Sequence, residues 1–379
     1  MDVWLTDEER LLRETVRSYL DGKIAPLVAA HERDRTFPWD RLAGLYDLGY
    51  VRGVVPAADG GDEAGHLALA ILMEEAGRCW GSLRTTLNVQ TMVAAVLSRF
   101  GTAEQKDRFL RPMLAGRRFG WFGVTESDAG SDAGALRTLG RPDGTDLVVN
   151  GRKLYITNAL HADFGLLLIR VAGTDGLTML IVDRAESPYQ AFDIAHMPVR
   201  ATTSCELAFD DVRVPAANVV GEVGRGLGVA MSAVNLGRLN MAMGAVGLAQ
   251  ACLEASIGFA RAREQFGRPI AGFQLVQQMV VEIATLTETS RLLGYRAARA
   301  LDAGLPGRYE CSMAKYYCGE SAGKAATLAL QVHGGAGLME ESPVERYFRD
   351  AREATIPEGT TQLQILHLGK ELLGVSAMR

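Results

Sequence analysis

The sequence lacks the residue patterns that usually mark metal sites and disulfide scaffolds. Its 379 residues include only five cysteines, an odd number, and none stands in a CxxC pair. Its six histidines form no HExxH motif and no His/Cys cluster. These absences predict reduced thiols, a cytoplasmic location and no bound metal.

A strong excess of one charge and a long apolar run are also missing. The net charge is −5, and the aromatic residues are scattered with no interleaved basic stripe. We therefore expect no nucleic-acid partner and no attraction to an anionic membrane. The first residues, MDVWLTDEE, contain neither a basic segment nor an apolar core of a signal peptide, and no run of 18 apolar residues follows. No membrane association is expected.

Three regions of different texture follow one another along the chain. The chain is longer than one ordinary domain core, and its residue patterns are helical, then β-rich, then helical again. The sequence predicts an α+β multidomain protein. Its expected parts are an N-terminal all-α domain (1–117), a middle antiparallel β-barrel domain (118–222) and a C-terminal four-helix bundle (223–379).

Local signals predict individual elements in these regions. Thr6 and Glu9 form a capping box, and a second helix is expected from Pro38 to Leu48. Asn150-Gly151 separates two β-rich runs and predicts a hairpin turn. The glycine-rich segment Gly221–Gly228 predicts a turn between domains. The helices expected after it cover about 227–263, 274–303, 306–333, 343–351 and 361–373.

One carboxylate near the C-terminus is held by unusual neighbours. Glu358 lies between Pro357, which restricts the backbone, and Gly359, which allows a sharp turn. Thr360 or Thr361 is expected to cap the next helix, and the second of these would form a capping box with Gln364. On its own a Pro-Glu-Gly segment is more often an exposed connector.

Several short motifs give Glu358 a context, because they occur in one order along the chain. They are VTESDAGSD (124–132), YITN (155–158), NLGR (235–238), REQFGRPI (263–270), FQ (273–274), QVHGGAG (331–337), RD (349–350) and EGTTQ (358–362). In this set the sequence resembles the acyl-CoA dehydrogenase family along nearly its whole length. Asn235-x-Gly-Arg and the segment Cys311–Tyr317 look most like the short-chain and short-branched-chain members.

The resemblance implies a bound FAD and names residues for it. One group belongs to the loop along the flavin and the segment against its face: Phe122, Val124, Thr125, Gly130, Ser131, Tyr155, Ile156 and Thr157. A second group would reach the cofactor of a neighbouring subunit: Arg263, Phe266, Gln274, Gln331, Val332, Gly334 and Gly335. Thr360 and Gln362 complete the implied cofactor contacts. The GGAG cluster is no Rossmann fingerprint, because it follows a helix.

The resemblance also implies the reaction. Glu358 matches the family's catalytic base, and the substrate contacts implied are Ser131, Asn235, Arg238 and Gly359. Lys315 and Arg349 are interpreted as structural charges. The implied function is FAD-dependent α,β-dehydrogenation of a short or short-branched acyl-CoA, by α-proton abstraction and β-hydride transfer.

Alternatives and partners stay open at this point. The acyl group could be bound to a carrier protein, since CoA and the carrier present the same pantetheine arm. The chain could also be a catalytically silent flavoprotein scaffold. The electron acceptor implied is an electron-transferring flavoprotein or oxygen, and the implied assembly is a homotetramer, a dimer of dimers.

Overall fold

The computed structural model describes residues 5–377; Trp4, in the segment read above for targeting signals, lies outside this range. The N-terminal part is helical, as predicted, and it begins with the capping box of Thr6 and Glu9. Its helices are α1 (Asp7–Lys23), α2 (Ala25–Asp34), α3 (Leu42–Tyr46), α4 (His66–Cys79), α5 (Gly81–Phe100), α6 (Ala103–Gln105) and α7 (Arg111–Leu114), the last two joined by one π-helical segment, Lys106–Leu110.

Two details of this part differ from the sequence prediction. The helix expected from Pro38 to Leu48 is a short 3₁₀ turn, Trp39–Arg41, followed by only five residues of α3. Helix α2 was not predicted. It starts with Pro26 in its first turn, where proline needs no donor, but it buries only two side chains and so gives a weak periodic signal.

The middle part is a mixed sheet rather than a closed antiparallel barrel. Its strands are β1 (Gly120–Gly123), β2 (Leu139–Asp143), β3 (Asp146–Thr157), β4 (Phe164–Val171), β5 (Thr178–Asp183), β6 (Gln190–Asp193), β7 (Ser204–Pro215) and β8 (Val219–Val220). They pair in the order β6-β7-β3-β2-β4-β5-β8, with β1 on β4. The sheet is not closed, and both β1 and β2 run parallel to β4. The barrel prediction was wrong in these respects.

The predicted hairpin at Asn150-Gly151 is also wrong. Strand β3 continues through these residues, and Gly151 (φ 148°) lies at an irregularity in its pairing with β7. A side chain at Gly151 would meet the backbone of Thr138 at 2.8 Å, so glycine is needed for this close approach. The turn between β2 and β3 falls instead at Gly144 (φ 63°), between Asp143 and Asp146.

The C-terminal part is helical, as predicted. Its helices are α8 (Gly226–Ala262), α9 (Gln274–Asp302), α10 (Arg308–His333), α11 (Pro343–Glu353) and α12 (Thr361–Leu373); a two-stranded hairpin, β9 (Glu264–Gln265) and β10 (Arg268–Pro269), joins the first two. Helices α8, α9 and α10 pack pairwise, and α12 packs on α10. Within residues 5–377, α8 alone is long and apolar enough to cross a membrane, but 61% of its most apolar window is buried in the protein, as in a core helix.

Two apolar clusters hold these parts together. Strand β4 divides its side chains between them by simple alternation. Leu166 and Leu168 face the helices, whereas Leu167 and Ile169 face the interior of the sheet around Trp121. Helix α5 lies at the centre and connects the N-terminal helices, the sheet and the C-terminal helices.

Candidate active site

The Glu358 loop has a strained backbone that its surroundings hold in place. Glu358 (φ 57°) and Gly359 (φ 92°) both adopt left-handed conformations, which for a residue with a side chain costs about 1–2 kcal/mol. The N–H of Thr361 donates to the carbonyl of Thr355 at 2.9 Å and closes the loop. Strain that the fold supports in this way is typical of functional sites.

Three side chains bind the two carbonyl groups of this loop. Arg238 Nε donates to the Glu358 carbonyl at 3.2 Å, and Gln364 Nε2 donates to both carbonyls at 3.1 and 3.0 Å. Lys315 Nζ donates to the Gly359 carbonyl at 2.6 Å. The N–H groups of Glu358 and Gly359 have no acceptor among the described residues. They are therefore available as a pair of donors to a ligand.

The cap of α12 differs in part from the prediction. Thr360 is the N-cap, and its hydroxyl accepts from the N–H of Leu363. The capping box expected between Thr361 and Gln364 is not formed, because the Thr361 hydroxyl donates to Glu320 at 2.7 Å. The Gln364 amide is thereby left to hold the Glu358 loop.

The Glu358 carboxylate lies between α5 and α8. Asn88 Nδ2 donates to Glu358 Oε1 at 3.2 Å, and Asn240 Nδ2 donates to Asn88 Oδ1 at 3.0 Å, which orients the Asn88 amide. A Cβ atom on Gly237 would lie 2.8 Å from Glu358 Cδ and 2.9 Å from the sulfur of Met92. Glycine at 237 is therefore the residue that admits the carboxylate.

This environment tunes the acidity of Glu358. Burial raises the pKa of its carboxyl to about 6, although Asn88, Arg238, Lys315 and Arg84 each lower it. A carboxylate with a pKa near 6 is mostly ionised at neutral pH and is a stronger base than an ordinary glutamate. The site thus holds a poised proton acceptor beside free N–H donors.

The loop of residues 122–132 is anchored independently of Glu358. The carbonyl of Val124 accepts from Lys153 Nζ at 3.0 Å, and that of Thr125 accepts from the N–H of Leu154 at 2.9 Å. Glu126 accepts from Thr138 and Lys153 at 2.5 to 3.0 Å. Burial alone would raise the pKa of Glu126, but these hydrogen bonds hold it below its usual value. Glu126 thus anchors the loop, and its lowered pKa makes it a weaker proton acceptor than Glu358.

Among the residues implied for the flavin face, one aromatic ring is exposed and two hydroxyl groups have no hydrogen-bond partner in the described part of the chain. Tyr155 is 64% exposed with φ 59°, while its neighbour Ile156 is buried. The hydroxyls of Thr125 and Thr157, both half-buried, have no hydrogen-bond partner within residues 5–377. Phe122 is half-buried at the end of β1. An uncovered aromatic ring beside unused hydroxyls fits a planar, polar-edged ligand such as a flavin ring. Gly130 and Ser131 are exposed nearby.

The second implied group lies on the surface of the chain. The hairpin β9–β10 carries Phe266, which is 93% exposed, at its tip, with Arg263 exposed at its base. Gln274 begins α9 and is exposed. Gln331, Gly334 and Gly335 are exposed, whereas Val332 is buried. No described contact joins these residues to the Glu358 loop. Most of them are exposed to solvent in the single chain.

The implied substrate residues fall in two places. Asn235 donates to the carbonyl of Pro306 at 3.2 Å, near the start of α10. Arg238 is buried beneath the Glu358 loop and also contacts Ser312 at 3.4 Å. Of the implied cofactor contacts, Thr360 caps α12 beside the loop, and Gln362 is exposed in the first turn of that helix.

Sequence reasoning missed four polar residues at this site: Arg84, Asn88, Gln364 and Asn240. Lys315 was interpreted as a structural charge, and its ammonium group donates to the Gly359 carbonyl of the Glu358 loop. One signal was available for the first two. Helix α5 carries polar residues on every face. The structure buries almost all of these polar side chains. Buried polar side chains need partners, and here the partners belong to the site.

A buried carboxylate with a raised pKa beside free N–H donors can accept a proton from a bound ligand. Comparison with known proteins agrees. Three family descriptions match: acyl-CoA dehydrogenase N-terminal domain (residues 6–117), middle domain (122–212) and C-terminal domain (224–373). The chain belongs to the acyl-CoA dehydrogenase family, whose members are FAD-dependent oxidoreductases.

Individual relatives resemble this chain along its whole length. The short/branched chain specific acyl-CoA dehydrogenase of Rattus norvegicus mitochondria is 36% identical over 97% of this chain and 86% of its own. The butyryl-CoA dehydrogenase structure from Megasphaera elsdenii has a TM-score of 0.93 and 30% identity, covering 98% and 100% of the two chains. A prolyl acyl carrier protein oxidase has a TM-score of 0.91 and 27% identity, covering 98% and 100%.

Proposed function

We propose that this chain oxidises a short or short-branched acyl-CoA at its Cα–Cβ bond, with Glu358 as the base. The observation that carries the proposal is the Glu358 carboxylate, which lies between Asn88 and Gly237 with a pKa of about 6. Relatives of short and short-branched specificity support the substrate size.

The chain's own residues perform the proton step. The α-proton of a thioester is too weakly acidic for a free carboxylate, so negative charge on the thioester oxygen must be stabilised. The free N–H of Glu358 is the donor for that oxygen, because Arg238 and Gln364 bind the carbonyl on the other side of the same residue. Glu358 Oε then accepts the α-proton. FAD, when bound, supplies the acceptor for the β-hydride.

The cofactor would be held by two sets of groups. Thr125, Tyr155 and Thr157 provide the hydroxyls and the ring described above for the flavin. Arg263 suits the pyrophosphate, because its planar guanidinium can make two parallel hydrogen bonds to phosphate oxygens. The remaining implied residues would make further contacts to the cofactor, part of them from a neighbouring subunit, and no metal is needed.

An anaerobic titration of the purified holoenzyme with acyl-CoAs of increasing length tests this function. Loss of flavin absorbance with about four to six acyl carbons is expected, and neighbouring lengths should differ by roughly 10–200-fold per methylene at most. Higher kcat/KM for a long-chain thioester would contradict the substrate assignment. No bleaching by any acyl-CoA would contradict the proposed activity.

The purified holoenzyme also tests two alternatives to this proposal. The similarity to a carrier-protein oxidase favours testing an acyl group on a carrier protein beside acyl-CoA. If only the carrier-bound group bleaches the flavin, the enzyme belongs to a biosynthetic pathway. Reoxidation by an electron-transferring flavoprotein, rather than by oxygen, is the expected second half-reaction. A flavin that no thioester reduces would identify a silent scaffold.

The assembly proposed is a homotetramer, built as a dimer of dimers. Exposed apolar side chains are concentrated on the C-terminal helices, including Leu275 and Val281 on α9 and Leu372 and Leu373 at the end of α12. Such side chains favour burial against another subunit. We also propose that the domain boundaries fall between residues 117 and 118 and between residues 222 and 223, and that the protein is cytoplasmic.

Arg263→Ala tests the proposed role of the hairpin. We expect the variant to fold and to lose FAD, because a phosphate ligand from a neighbouring subunit is removed. The control is Arg261→Ala, an exposed arginine two residues earlier on α8. Light scattering and the FAD-to-protein ratio are the measurements. A wild-type protein that is monomeric in light scattering and still carries full FAD would contradict a cofactor site shared between subunits.

A further inference from the structure

A buried ammonium group lies beneath the Glu358 loop and has an uncharged direct partner. Lys315, on α10, is 1% exposed, and its Nζ donates to the Gly359 carbonyl at 2.6 Å. No carboxylate within residues 5–377 forms an ion pair with this nitrogen. Gln364 already donates to the same carbonyl at 3.0 Å. Burying a charge is costly, so one more hydrogen bond to Gly359 does not by itself account for a lysine here.

Among the charged groups around it, Glu358 has the largest effect on Lys315. Burial lowers the pKa of Lys315 to about 8, whereas Glu358 raises it, Arg238 on α8 lowers it and Glu320 on α10 raises it. Glu320 also accepts a hydrogen bond from the Thr361 hydroxyl. The coupling acts in both directions, because Lys315 is one of the cations that lower the pKa of the Glu358 carboxyl.

Three cations face the Glu358 carboxylate. Arg84 on α5 is paired with Glu353, so its charge is largely neutralised. Arg238 on α8 binds the Glu358 carbonyl through Nε. Lys315 on α10 binds the next carbonyl of the chain. Of the three, only Lys315 can lose its proton in an ordinary assay range, because arginine stays protonated in proteins.

The two loop carbonyls also fix the direction of the N–H groups that follow them. A trans peptide is planar, with its N–H opposite its C=O. Because Lys315 holds the Gly359 carbonyl, the N–H of Thr360 points to the other side of the loop, and Arg238 fixes the N–H of Gly359 in the same way. Neither N–H has an acceptor among the described residues. The cations therefore lie on one side of the loop and the unused donors on the other.

We propose that Lys315 is a positioning residue for the proton transfer: its ammonium group holds the Glu358 loop with its N–H donors exposed, and supplies positive charge that balances the Glu358 carboxylate. The inference rests on the proposed dehydrogenation and adds a residue that acts on the base without contacting the substrate. The active form of the site then carries Glu358 as a carboxylate and Lys315 as an ammonium ion. Both are charged between about pH 6 and about pH 8.

Lys315→Met tests this role, because it keeps most of the side chain and removes both donor and charge. With the best acyl-CoA of the titration above, kcat/KM for flavin reduction at pH 7.5 should fall about 10–10²-fold, since the loop is less well positioned. The ratio of kcat/KM at pH 7.5 to that at pH 5 should be at least about threefold larger than in wild type, because Glu358 ionises at higher pH without this cation. Lys315→Arg, which keeps the charge, should restore the wild-type ratio.

The alkaline side of the wild-type profile gives a second readout. Lys315 loses its proton near pH 8, so kcat/KM should decline above that pH. Lys315→Met should show no such decline. The control is Lys23→Met, which makes the same change in net charge at an exposed position at the end of α1. It should match wild type at both ends of the pH range.

A structural link alone would lower kcat/KM by the same factor at every pH. A Lys315→Met enzyme that binds FAD and has the wild-type ratio would therefore overturn the inference, as would a Lys315→Arg ratio equal to that of Lys315→Met. If Lys315→Met does not bind FAD, the wild-type profile decides, and a level profile up to about pH 9 would overturn the inference. A wild-type flavin that dithionite reduces and no acyl-CoA bleaches would instead contradict the proposed function.

Discussion

Replacing Glu358 by glutamine is expected to reduce the rate of flavin reduction by at least roughly 10²–10⁴-fold. Glutamine keeps the size of the side chain and can still contact Asn88, but it cannot accept the α-proton. The N–H of residue 358 remains, so the thioester oxygen keeps its donor. Stopped-flow absorbance of the flavin under anaerobic conditions is the measurement.

The variant should be intact in every other respect. We expect it to assemble, to retain FAD and to bind acyl thioester. Its melting temperature should be equal or slightly higher at pH 7. Burial raises the pKa of Glu358 to about 6, so the carboxylate makes the folded state less stable as the pH rises from the range of an unfolded glutamate to about 6. Flavin bleaching within about threefold of wild type would show that another residue takes the proton.

Gly237→Ala should also cause a large loss, for a geometric reason. The added methyl group would lie 2.8 Å from Glu358 Cδ and 3.0 Å from its Oε2, and 2.9 Å from Met92 Sδ. The carboxylate must therefore move, and a displacement of about 1 Å can cost about 10²-fold in rate. We expect such a loss in kcat/KM with FAD still bound.

A matched control exists on the same helix. Gly258 lies on α8 with no heavy atom within 4 Å of an added methyl group. Gly258→Ala should leave the rate unchanged and raise stability by about 0.5–1 kcal/mol, because alanine favours the helix. A Gly237→Ala enzyme as active as this control would contradict the placement of the base.

Much of the fold could be predicted from the sequence, because its helices are long and strongly patterned. Helix α12 begins and ends where the periodicity indicates, and α8 and α9 differ from prediction by only one residue at some ends. The closed barrel failed because strand pairing depends on partners distant in sequence: β1 and β2 both pair with β4. Local alternation cannot reveal which strands meet.

The hairpin at Asn150-Gly151 failed for a related reason. The dipeptide favours a tight turn, but Gly151 is needed here because Thr138 crosses it closely. Local turn preference was overridden by a contact between strands.

Site residues could be predicted from the sequence only where they belong to a recognisable motif. Glu358 was identified from its neighbours and from the resemblance. Asn88 and Lys315 were not, because each acts on the loop from more than 40 positions away in the sequence. Their roles depend on which face of a buried helix meets the loop, and the sequence does not specify that.

The central claim is that Glu358, ionising near pH 6, removes the α-proton, and the pH dependence of kcat/KM tests it most directly. In wild type, kcat/KM for flavin reduction should rise about tenfold per pH unit below 6 and level off above it, because only the ionised carboxylate accepts the proton. The residual rate of Glu358→Gln should show no such rise between pH 5 and 7.5. A wild-type profile that is flat across this range, or the same rise in the variant, would contradict the account.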